Sequence, residues 1–273
     1  MEQPKISIII PVFNTGKSVT GLTQRLLKEK CTNLEIILID DGSKDDSLKI
    51  LKKLAEQNSK IKVFHQENRG PSSARNLGLS KATGKYVAFI DSDDSVDSKY
   101  IDTLFKMIDS NDASIAMTNI RRYNHSRNNY DVLYKSEIIP STKHDTKKSY
   151  ILKLLLNDGR LYPVANKMFH ADIIKKYKIH FNESMNFAED LHFVLDYLKY
   201  ANGKILFNEK PLYTYNISNN GTVRKTSQVW KNWQKSYNHL KHWVGKNPTK
   251  KEQKLLKLVY LRWKISYFLS LFR

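Results

Sequence analysis

Cysteine is nearly absent from this chain, and its scarcity excludes two kinds of chemistry. The 273 residues contain one cysteine, Cys31, so an internal disulfide and a cysteine-rich metal site are both excluded. The scarcity fits a reducing compartment without requiring one. Hydrophobic residues make up 40% of the chain, which is enough for the core of one large α/β domain, with or without an extension.

Long apolar runs are absent as well. A membrane-spanning helix needs about 20 apolar, uncharged residues in succession. The stretch from Leu255 to Arg273 comes closest, but basic residues interrupt it at positions 257, 262, 264 and 273. The chain also passes from Met1 almost directly into a strand pattern, without the features of a signal peptide. We therefore expect neither a membrane span nor a secretion signal.

Acidic residues are few compared with basic ones. The chain has 27 aspartates and glutamates against 46 lysines and arginines, for a formal net charge of +19. Such an excess indicates an anionic environment, for example nucleic acid, a phospholipid surface or a phosphorylated substrate. The lysines are concentrated after Lys143, whereas the acidic clusters lie mostly before Asp112.

A glycine is missing where a phosphate-binding P-loop would require one. Gly16-Lys17-Ser18 follows an apolar strand, but the full signature has a glycine five residues before Gly16, and that position is Pro11. Without it, the loop cannot wrap a phosphate with consecutive backbone N–H groups. The sequence therefore argues against an NTPase.

The first half of the chain alternates apolar strands with helices. Continuous apolar runs such as Ile6–Ile10 are typical of strands buried on both faces of a parallel sheet. The alternation predicts an α/β fold with a doubly wound, mostly parallel, Rossmann-like sheet. The predicted strands are Ile6–Ile10, Leu34–Ile39, Ile61–Phe64, Tyr86–Ile90 and Ala113–Met117, and the predicted helices are Thr20–Lys30, Asp46–Gln57, Pro71–Ala82 and Tyr100–Ile108.

After residue 119 the pattern becomes irregular. We predict a loop or hairpin over residues 119–145, where polar residues, tyrosines and arginines predominate. Helical periodicity then returns. The predicted helices are 148–157, 190–201, 228–244 and 250–272, with a short strand at 204–207.

Three carboxylates follow the fourth predicted strand within four residues, in the segment Asp91-Ser92-Asp93-Asp94. Carboxylates this close repel one another unless a cation lies between them. A hard divalent cation that also holds a diphosphate would satisfy them, and ligands bind at the carboxyl ends of strands in open α/β sheets. The alternative is a solvated acidic turn that caps the next helix, and the segment alone supports both interpretations equally.

A second acidic turn, Asp40-Asp41-Gly42-Ser43, follows the second strand, and Pro11-Val12-Phe13-Asn14 ends the first. Parallel strands bring all three segments to one rim of the sheet. There, Phe13 can pack on a nucleobase while Asp41 accepts one of its N–H groups. The simpler explanation of the acidic turn is a turn with a helix N-cap, which holds in part in either case.

As a set, these segments resemble the family 2 glycosyltransferases of the GT-A fold, in order and spacing, over about the first 120 residues. The resemblance implies a GT-A core, here with a C-terminal helical extension. It also implies an inverting transfer from a nucleotide sugar, usually a UDP-sugar, with Mn²⁺ or Mg²⁺. The matching motifs are Pro11-Val12-Phe13-Asn14, Ile39-Asp40-Asp41-Gly42-Ser43, Asn68-Arg69-Gly70, Ala74-Arg75-Asn76, Gly78, Gly84-Lys85-Tyr86 and Asp91-Ser92-Asp93-Asp94.

The resemblance assigns roles to individual residues. Phe13 stands where tyrosine is more usual, a change that preserves stacking. Without the family motifs, structural pairing would be the better explanation of Arg75. The implied nucleotide-binding residues are Pro11, Phe13, Asn14, Asp41, Arg75, Asp91 and Asp93, with Asp93 contacting ribose or metal, and the implied metal ligands are Asp93 and Asp94.

The family also places an acidic pair at the start of a later helix that faces the acceptor, and Glu189-Asp190 fits this position. Asp190 would be the general base and Glu189 its neighbour, with the metal stabilising the departing diphosphate. The alternative is a pair of ordinary helix-start acids that complement the helix dipole. Asn166-Lys167-Met168-Phe169 resembles the short element before the acceptor pocket, and Lys167 is a candidate phosphate contact.

Three further features have two interpretations each. His192 is either a metal ligand or a structural histidine on a helix face. The segment from Tyr213-Thr214-Tyr215 towards Arg224 and Lys225 is either a lid over the diphosphate or a surface loop. The basic, aromatic C-terminal segment either rests on anionic lipid or packs its aromatic side chains on the catalytic domain.

The sequence therefore predicts a nucleotide-sugar-binding core at residues 1–120, an acceptor-binding and catalytic-base part of the same domain at 121–225, and a helical tail at 226–273. We expect sugar transfer to a glycan or lipid-linked glycan hydroxyl during cell-surface polysaccharide or glycoconjugate synthesis. The expected location is the cytoplasm, peripheral to the inner face of the cell membrane.

Two rival interpretations fit less well. A sugar nucleotidyltransferase would need a glycine-rich loop after the first strand. A nucleic-acid-binding protein suits the charge of +19, but it leaves two carboxylate clusters on one rim unexplained. We expect no nucleic-acid partner.

Overall fold

The computed structural model describes residues 5–30, 33–109, 112–134, 145–157, 159–185, 187–217 and 226–270. Its strands are β1 (Ile6–Val12), β2 (Leu34–Asp41), β3 (Ile61–Gln66), β4 (Tyr86–Phe89), β5 (Ser95–Val96), β6 (Ala113–Asn124), β7 (Asn129–Val132), β8 (Lys167–His170) and β9 (Lys204–Ile217). Its helices are α1 (Gly16–Leu27), α2 (Ser47–Gln57), α3 (Pro71–Lys81), α4 (Tyr100–Asp109), α5 (Lys147–Asn157), α6 (Ala171–Lys176), α7 (Glu189–Tyr200), α8 (Thr226–Val244) and α9 (Lys250–Ser270).

The first four strands form the parallel half of the sheet, in the order β3-β2-β1-β4. All eight residues of β2 are buried, as expected for a strand covered by helices on both faces. The carboxyl ends of these four strands lie at one edge of the sheet, the carboxyl rim, as the sequence predicts.

The second half of the sheet is mixed. β8 lies antiparallel between β4 and β6, β9 runs parallel to β6, and β5 runs antiparallel to β9. β6 continues to Asn124 and forms a hairpin with β7. Of the two structures predicted for this region, a loop or a hairpin, the hairpin is therefore the one observed. Residues 135–144 of that predicted region lie outside the described residues.

β9 is much longer than the predicted strand at 204–207. Its pairing with β6 has a register shift where Thr118 pairs with Asn208 and Ile120 with Tyr213. Pro211 lies in this irregular stretch. Because proline has no N–H to donate to a neighbouring strand, its presence in a sequence argues against a strand, and the second half of β9 was not predicted.

Side chains alternate between two cores, one on each face of the sheet. Ile6, Ile8 and Ile10 join the core under α1, α2 and α4, whereas Ile9 faces the core that contains α3, α5 and α7. The second core also contains Leu240, Trp243, Val259 and Trp263 of α8 and α9. The buried aromatic residues of the C-terminal helices, Trp243 and Trp263, therefore pack on the α/β domain.

Gly78 brings α3 unusually close to the sheet. A Cβ at this position would lie 2.4 Å from Cγ2 of Ile9, so any larger residue would push the helix away. The close approach holds Arg75, one turn earlier in α3, against the rim at the end of β4.

Candidate active site

The acidic segment after β4 is braced by β9. The Tyr213 hydroxyl donates to Oδ2 of Asp94 over 2.6 Å, and the backbone N–H of Asn216 donates to Oδ1 over 2.9 Å. The Asn216 amide also donates to the backbone carbonyl of Asp93. Asp94 is therefore buried, with both carboxylate oxygens accepting hydrogen bonds, whereas Asp93 is exposed.

Arg75 connects the acids of the rim to those of α7. It is 5% exposed and donates from Nη2 to Asp91 Oδ1 over 2.8 Å and from Nη1 to Asp190 Oδ1 over 3.3 Å. Glu189 Oε1 lies 3.9 Å from Nη1. Burial opposes the guanidinium charge, but the carboxylates of Asp190 and Asp91 outweigh it and raise the pKa of Arg75. A single buried cation is thus shared among three acids.

Asp190 is held through both carboxylate oxygens. Arg75 binds Oδ1, and the backbone N–H of Val164 donates to Oδ2 over 3.1 Å. Burial is the main reason that the pKa of Asp190 is raised, with the charge of Asp91 adding to it and Arg75 and Lys167 opposing it. A raised pKa brings a carboxylate closer to the range in which a general base is effective.

Lys167 is not available for the phosphate contact that the family resemblance suggested. It is fully buried, and its ammonium donates to the carbonyls of Arg160 and Pro163 and to Oδ1 of Asn166, over 2.8, 2.5 and 2.8 Å. These bonds fix the loop that carries Val164, and Val164 in turn holds Asp190. The expectation of a phosphate contact is corrected: Lys167 supports the loop because its ammonium is already enclosed by oxygen acceptors.

The predicted nucleotide side of the rim combines an exposed ring with fixed loops. Phe13 is 43% exposed, so its face is open to a stacking partner. Asn14 has φ of 55°, its N–H donates to Ser43 Oγ over 3.0 Å, and its side-chain oxygen accepts from the Lys44 N–H over 2.8 Å. Pro11 is half-buried beneath them. The loops after β1 and β2 therefore support each other around Phe13.

The carboxylate of Asp41 already accepts several hydrogen bonds within the protein, which the sequence did not suggest. It is buried, and it accepts bonds from Gln66 Nε2, the Arg69 N–H and the Gly70 N–H over 2.7, 3.0 and 2.9 Å. An ionised carboxylate has about four acceptor positions, so these three donors leave room for about one more. Asp41 therefore fixes the loop before α3, and a hydrogen bond from a nucleobase would have to use the remaining acceptor position.

A cavity of about 460 Å³ opens beside the acidic residues. Asp91, Glu189 and Asp190 lie at its wall, and aromatic residues from several elements form much of the remainder. Sequence reasoning found the acids but missed this aromatic wall, since its members are far apart in the chain. The aromatic lining residues are Tyr134, Tyr162, Phe187, Tyr213, Tyr215 and Trp233.

The rim residues fit a divalent cation only in part. Among the described residues, no group of three or more histidine, cysteine, aspartate or glutamate side chains is arranged to hold a metal by itself. Asp93 nevertheless offers an open carboxylate, and desolvation and the nearby charge of Asp91 raise its pKa. Hard oxygen ligands of this kind suit Mg²⁺ or Mn²⁺ when substrate phosphates complete the shell. Asp94 fits this role less well because both of its oxygens already accept hydrogen bonds.

His192 has structural contacts away from the acidic rim. It is buried, stacks on His239 with ring centroids 4.1 Å apart, and has Nε2 3.0 Å from Ser236 Oγ. Burial is the main cause that lowers the pKa of His192 to about 4. These contacts join α7 to α8 and support the structural interpretation. The segment from Tyr213 to Lys225, predicted as a lid or a surface loop, begins with the last residues of β9, up to Ile217, and residues 218–225 lie outside the described residues.

Solved structures show that this fold is the GT-A fold. TarS of S. aureus matches with a TM-score of 0.70 and 22% identity, over 96% of this chain and 72% of that one, and it has also been solved in complex with UDP-GlcNAc. The mannosyltransferase PcManGT of Pyrobaculum calidifontis, solved with GDP-Man and Mn²⁺, matches with a TM-score of 0.64 and 12% identity, over 99% of this chain and 75% of that one. At these identities the likeness concerns the fold.

The sequence comparisons identify the family. Residues 7–178 match the family model Glycosyl transferase family 2. The uncharacterized glycosyltransferase YibD of Escherichia coli is 30% identical over 240 residues, which are 88% of this chain and 68% of that protein. The chain belongs to glycosyl transferase family 2, which confirms the resemblance of its motifs.

Other relatives are longer than this chain. The glycosyltransferase GlyG of Streptococcus pneumoniae is 39% identical over 126 residues, 46% of this chain and 42% of that protein. GlyA of the same organism is 28% identical over 237 residues, 83% of this chain and 32% of that protein. The match therefore spans less than half of either relative. Among the residues that the structure describes, none of the helices combines the length and apolar content that crossing a bilayer requires.

Proposed function

We propose that this protein transfers a sugar from a UDP-linked donor to an acceptor hydroxyl with inversion at the anomeric carbon. The observation that carries the proposal is Asp190: a carboxylate with a raised pKa, fixed through both oxygens, at the wall of a cavity. Through Arg75 it lies one side chain away from the acidic rim, where a donor diphosphate would bind.

In the proposed reaction Asp190 accepts the proton of the acceptor hydroxyl as its oxygen attacks the anomeric carbon. The new bond to carbon forms as the bond from that carbon to the donor diphosphate breaks, and the electron pair of the broken bond leaves with UDP. Glu189 orients the acceptor or the base. Because Arg75 and Val164 hold Asp190 at a fixed angle, the base needs little reorganisation when the hydroxyl arrives.

On the donor side, we assign Phe13 to stacking on the base, with Pro11, Asn14 and Asp41 shaping its pocket. Arg75 and Asp91 would frame the ribose and diphosphate. Asp93 would hold Mn²⁺ or Mg²⁺ together with the donor, and Asp91 would add charge nearby. When bound, the metal would stabilise the negative charge of the leaving diphosphate.

We assign residues 1–120 to the donor, residues 121–225 to the acceptor and the base, and residues 226–273 to a helical extension. The acceptor would be a glycan or lipid-linked glycan in the synthesis of a cell-surface polysaccharide or glycoconjugate. The aromatic wall of the cavity supports a sugar acceptor, since aromatic rings offer broad apolar faces with polar edges. The enzyme would act in the cytoplasm at the inner face of the membrane.

A donor screen tests the proposal. UDP-, GDP-, dTDP- and CMP-sugars are added to the full chain with Mn²⁺, Mg²⁺ or a chelator, and thermal stability and nucleotide release are measured. We expect UDP-sugars to stabilise the protein, by about 2.7 kcal/mol at a hundred times Kd, and Asp93→Asn to lose the metal-dependent part. Glu56→Gln, an exposed acid on α2, serves as the control. Absence of stabilisation and nucleotide release with every donor would overturn the proposal.

A further inference from the structure

Helix α9 presents an apolar ridge to solvent. Its inward side, which includes Leu256, Val259 and Trp263, is buried against the domain. Leu258, Leu261 and Ile265 are 42%, 51% and 50% exposed. At 3.6 residues per turn they share one face, roughly opposite the buried stripe. We call Leu258, Leu261 and Ile265 the α9 ridge.

Exposed lysines lie along one side of the α9 ridge. Lys250, Lys254 and Lys257 are exposed, and within the described part of the chain no salt bridge involves Lys254 or Lys257. The one acidic residue in the sequence of α9 is Glu252. It is buried and accepts bonds from Thr146 and the Thr249 N–H, so the outward face has no carboxylate of its own.

The α9 ridge and the cavity lie on opposite sides of the same helix. On the inner side, Trp263 donates from Nε1 to the Tyr162 hydroxyl over 2.5 Å and lies 4.8 Å from the ring of Trp233, measured between centroids. Tyr162 and Trp233 line the cavity that contains Asp190. The α9 ridge is thus about one helix diameter, ~10 Å, from the aromatic wall of that cavity.

We propose that the outward face of α9 docks on an anionic phospholipid surface, with the α9 ridge in the interface and the lysines on the headgroups. A helix with an apolar face beside basic side chains lies in the plane of such an interface, and anionic lipids attract each lysine close to it. A protein partner fits less well because lysine is depleted from protein interfaces. Nucleic acid fits the lysines but gives the α9 ridge no apolar partner.

Docking in this way gives the cavity a function at the membrane. The face of α9 that binds lipid holds the aromatic wall close to the headgroups, so an acceptor attached to a lipid would reach Asp190 without leaving the bilayer. This consequence rests on the proposed sugar transfer, whereas the docking itself does not.

Vesicle binding by the full chain tests the docking. We measure co-sedimentation with vesicles of phosphatidylcholine alone and of phosphatidylcholine and phosphatidylglycerol in equal parts. We expect binding to the mixed vesicles, at least about tenfold weaker binding to the neutral ones, and loss of binding at high salt. Equal binding to both vesicle types, or no binding to either, would overturn the proposal.

Two sets of substitutions locate the surface. Leu258→Ser with Leu261→Ser and Ile265→Ser removes the α9 ridge, and Lys254→Gln with Lys257→Gln removes charge alone, so that the second variant remains informative if the first folds poorly. Each is expected to weaken binding about tenfold. Lys52→Gln with Lys53→Gln, two exposed lysines on α2, is the matched control and should bind like the wild type. Equal losses in all three variants would contradict a specific face.

The two proposals fail in different ways. If the donor screen fails but vesicle binding depends on the α9 ridge, the docking stands without the proposed reaction. If the chain binds a UDP-sugar normally but the variants of α9 bind vesicles like the wild type, the docking is wrong and the reaction stands. Retention of nucleic acid in preference to anionic vesicles would also contradict the docking.

Discussion

Carboxylates at the two ends of the parallel strands differ in how completely they are paired. We call the edge at which the strands begin the amino rim and the edge at which they end the carboxyl rim. At the amino rim, Glu35 has a full set of partners: Ser7 and Thr83 bond Oε1, and the Lys62 ammonium lies 2.6 Å from Oε2. Burial alone would raise the pKa of Glu35, but these hydrogen bonds outweigh it and lower the pKa. The ionised form of Glu35 therefore stabilises the fold.

At the carboxyl rim the acids outnumber their cations. Arg75 is shared by Asp91, Asp190 and Glu189. Burial, followed by the charge of Asp91, raises the pKa of Asp94. Perturbed carboxylates concentrated in a cleft are typical of functional sites. The comparison teaches that the acid of one rim has enough partners to stabilise its ionised form, whereas the acids of the other rim share too few cations, an arrangement expected where a cationic ligand binds.

The largest effect should follow the loss of the proposed base. Asp190→Asn preserves shape but removes the proton acceptor, so we expect transfer to fall by about 10²–10⁴-fold. Donor binding, measured by calorimetry, should remain near that of the wild type. Asp196→Asn, on the same helix and paired with His239, is the control for a charge change on α7. Normal turnover of Asp190→Asn would remove it from the mechanism.

The loss of Arg75 should destabilise the carboxyl rim most. Arg75→Met leaves three half-buried carboxylates without their shared cation, and we expect a cost of about 3 kcal/mol, the lower end of the range for breaking a buried ion pair. Urea unfolding measures the change. Arg69→Met provides the comparison because Arg69 pairs with Glu183 at the surface, where a pair contributes about 0–1 kcal/mol. Equal stabilities of the two variants would show that the rim does not depend on Arg75.

At the amino rim, Glu35→Gln should destabilise the fold by a smaller amount. Glutamine replaces one acceptor oxygen with a donor, so at least one of the partners of Glu35 loses its bond, at a cost of about 1–3 kcal/mol. Enzyme activity of the folded fraction should be unchanged since the site lies at the other rim. Glu56→Gln on α2 is the control. A drop in turnover without a drop in stability would contradict the separation of the two rims.

The smallest effect is a difference in pH dependence between Glu35→Gln and Asp93→Asn. The folded pKa of Glu35 is lowered, so its stabilisation is complete above its ordinary value of 4.5 and disappears as pH falls through the folded pKa. Burial and, after it, the charge of Asp91 raise the folded pKa of Asp93 above its ordinary value of 3.8, so the destabilisation by its ionised form is relieved as pH falls towards that value.

Unfolding free energies measured between neutral and acid pH, without metal, test the difference. The stability deficit of Glu35→Gln should shrink on acidification. Asp93→Asn should be more stable than the wild type at neutral pH, by at most about 1 kcal/mol for so exposed a side chain, and the gain should disappear in acid. Parallel pH profiles for the two variants would contradict the assigned shifts.

The fold was predictable where local pattern and burial agree. The apolar runs of β1 and β2 predict strands buried on both faces. The acids that follow the second and fourth strands must lie at one edge of the sheet because the strands are parallel. Prediction failed at β8 and in the second half of β9, because β8 has four residues and β9 contains the polar stretch around Pro211. Their pairing depends on neighbouring strands that are distant in the chain.

The candidate site was predictable in composition but not in connection. The motifs identified Asp91, Asp93 and Asp190 as candidates. The sequence offers no signal, however, that Val164 and Arg75 would donate hydrogen bonds to Asp190, or that the Tyr213 hydroxyl would donate one to Asp94. A buried lysine such as Lys167 is also indistinguishable, in sequence, from one that reaches a phosphate. Burial and hydrogen-bond partners decide between these roles, and both are properties of the folded chain.

By itself, the sequence determined the alternation of strands and helices, the rim on which the acids gather, and the family. Those features follow from the periodicity of apolar residues and from short motifs, which act locally along the chain. Only the tertiary structure decided which carboxylates are paired with cations or hydrogen-bond donors and which remain exposed, and that Trp233 of α8 joins the aromatic wall of the cavity. Electrostatic compensation and packing act through space, so they depend on neighbours that the order of residues does not reveal.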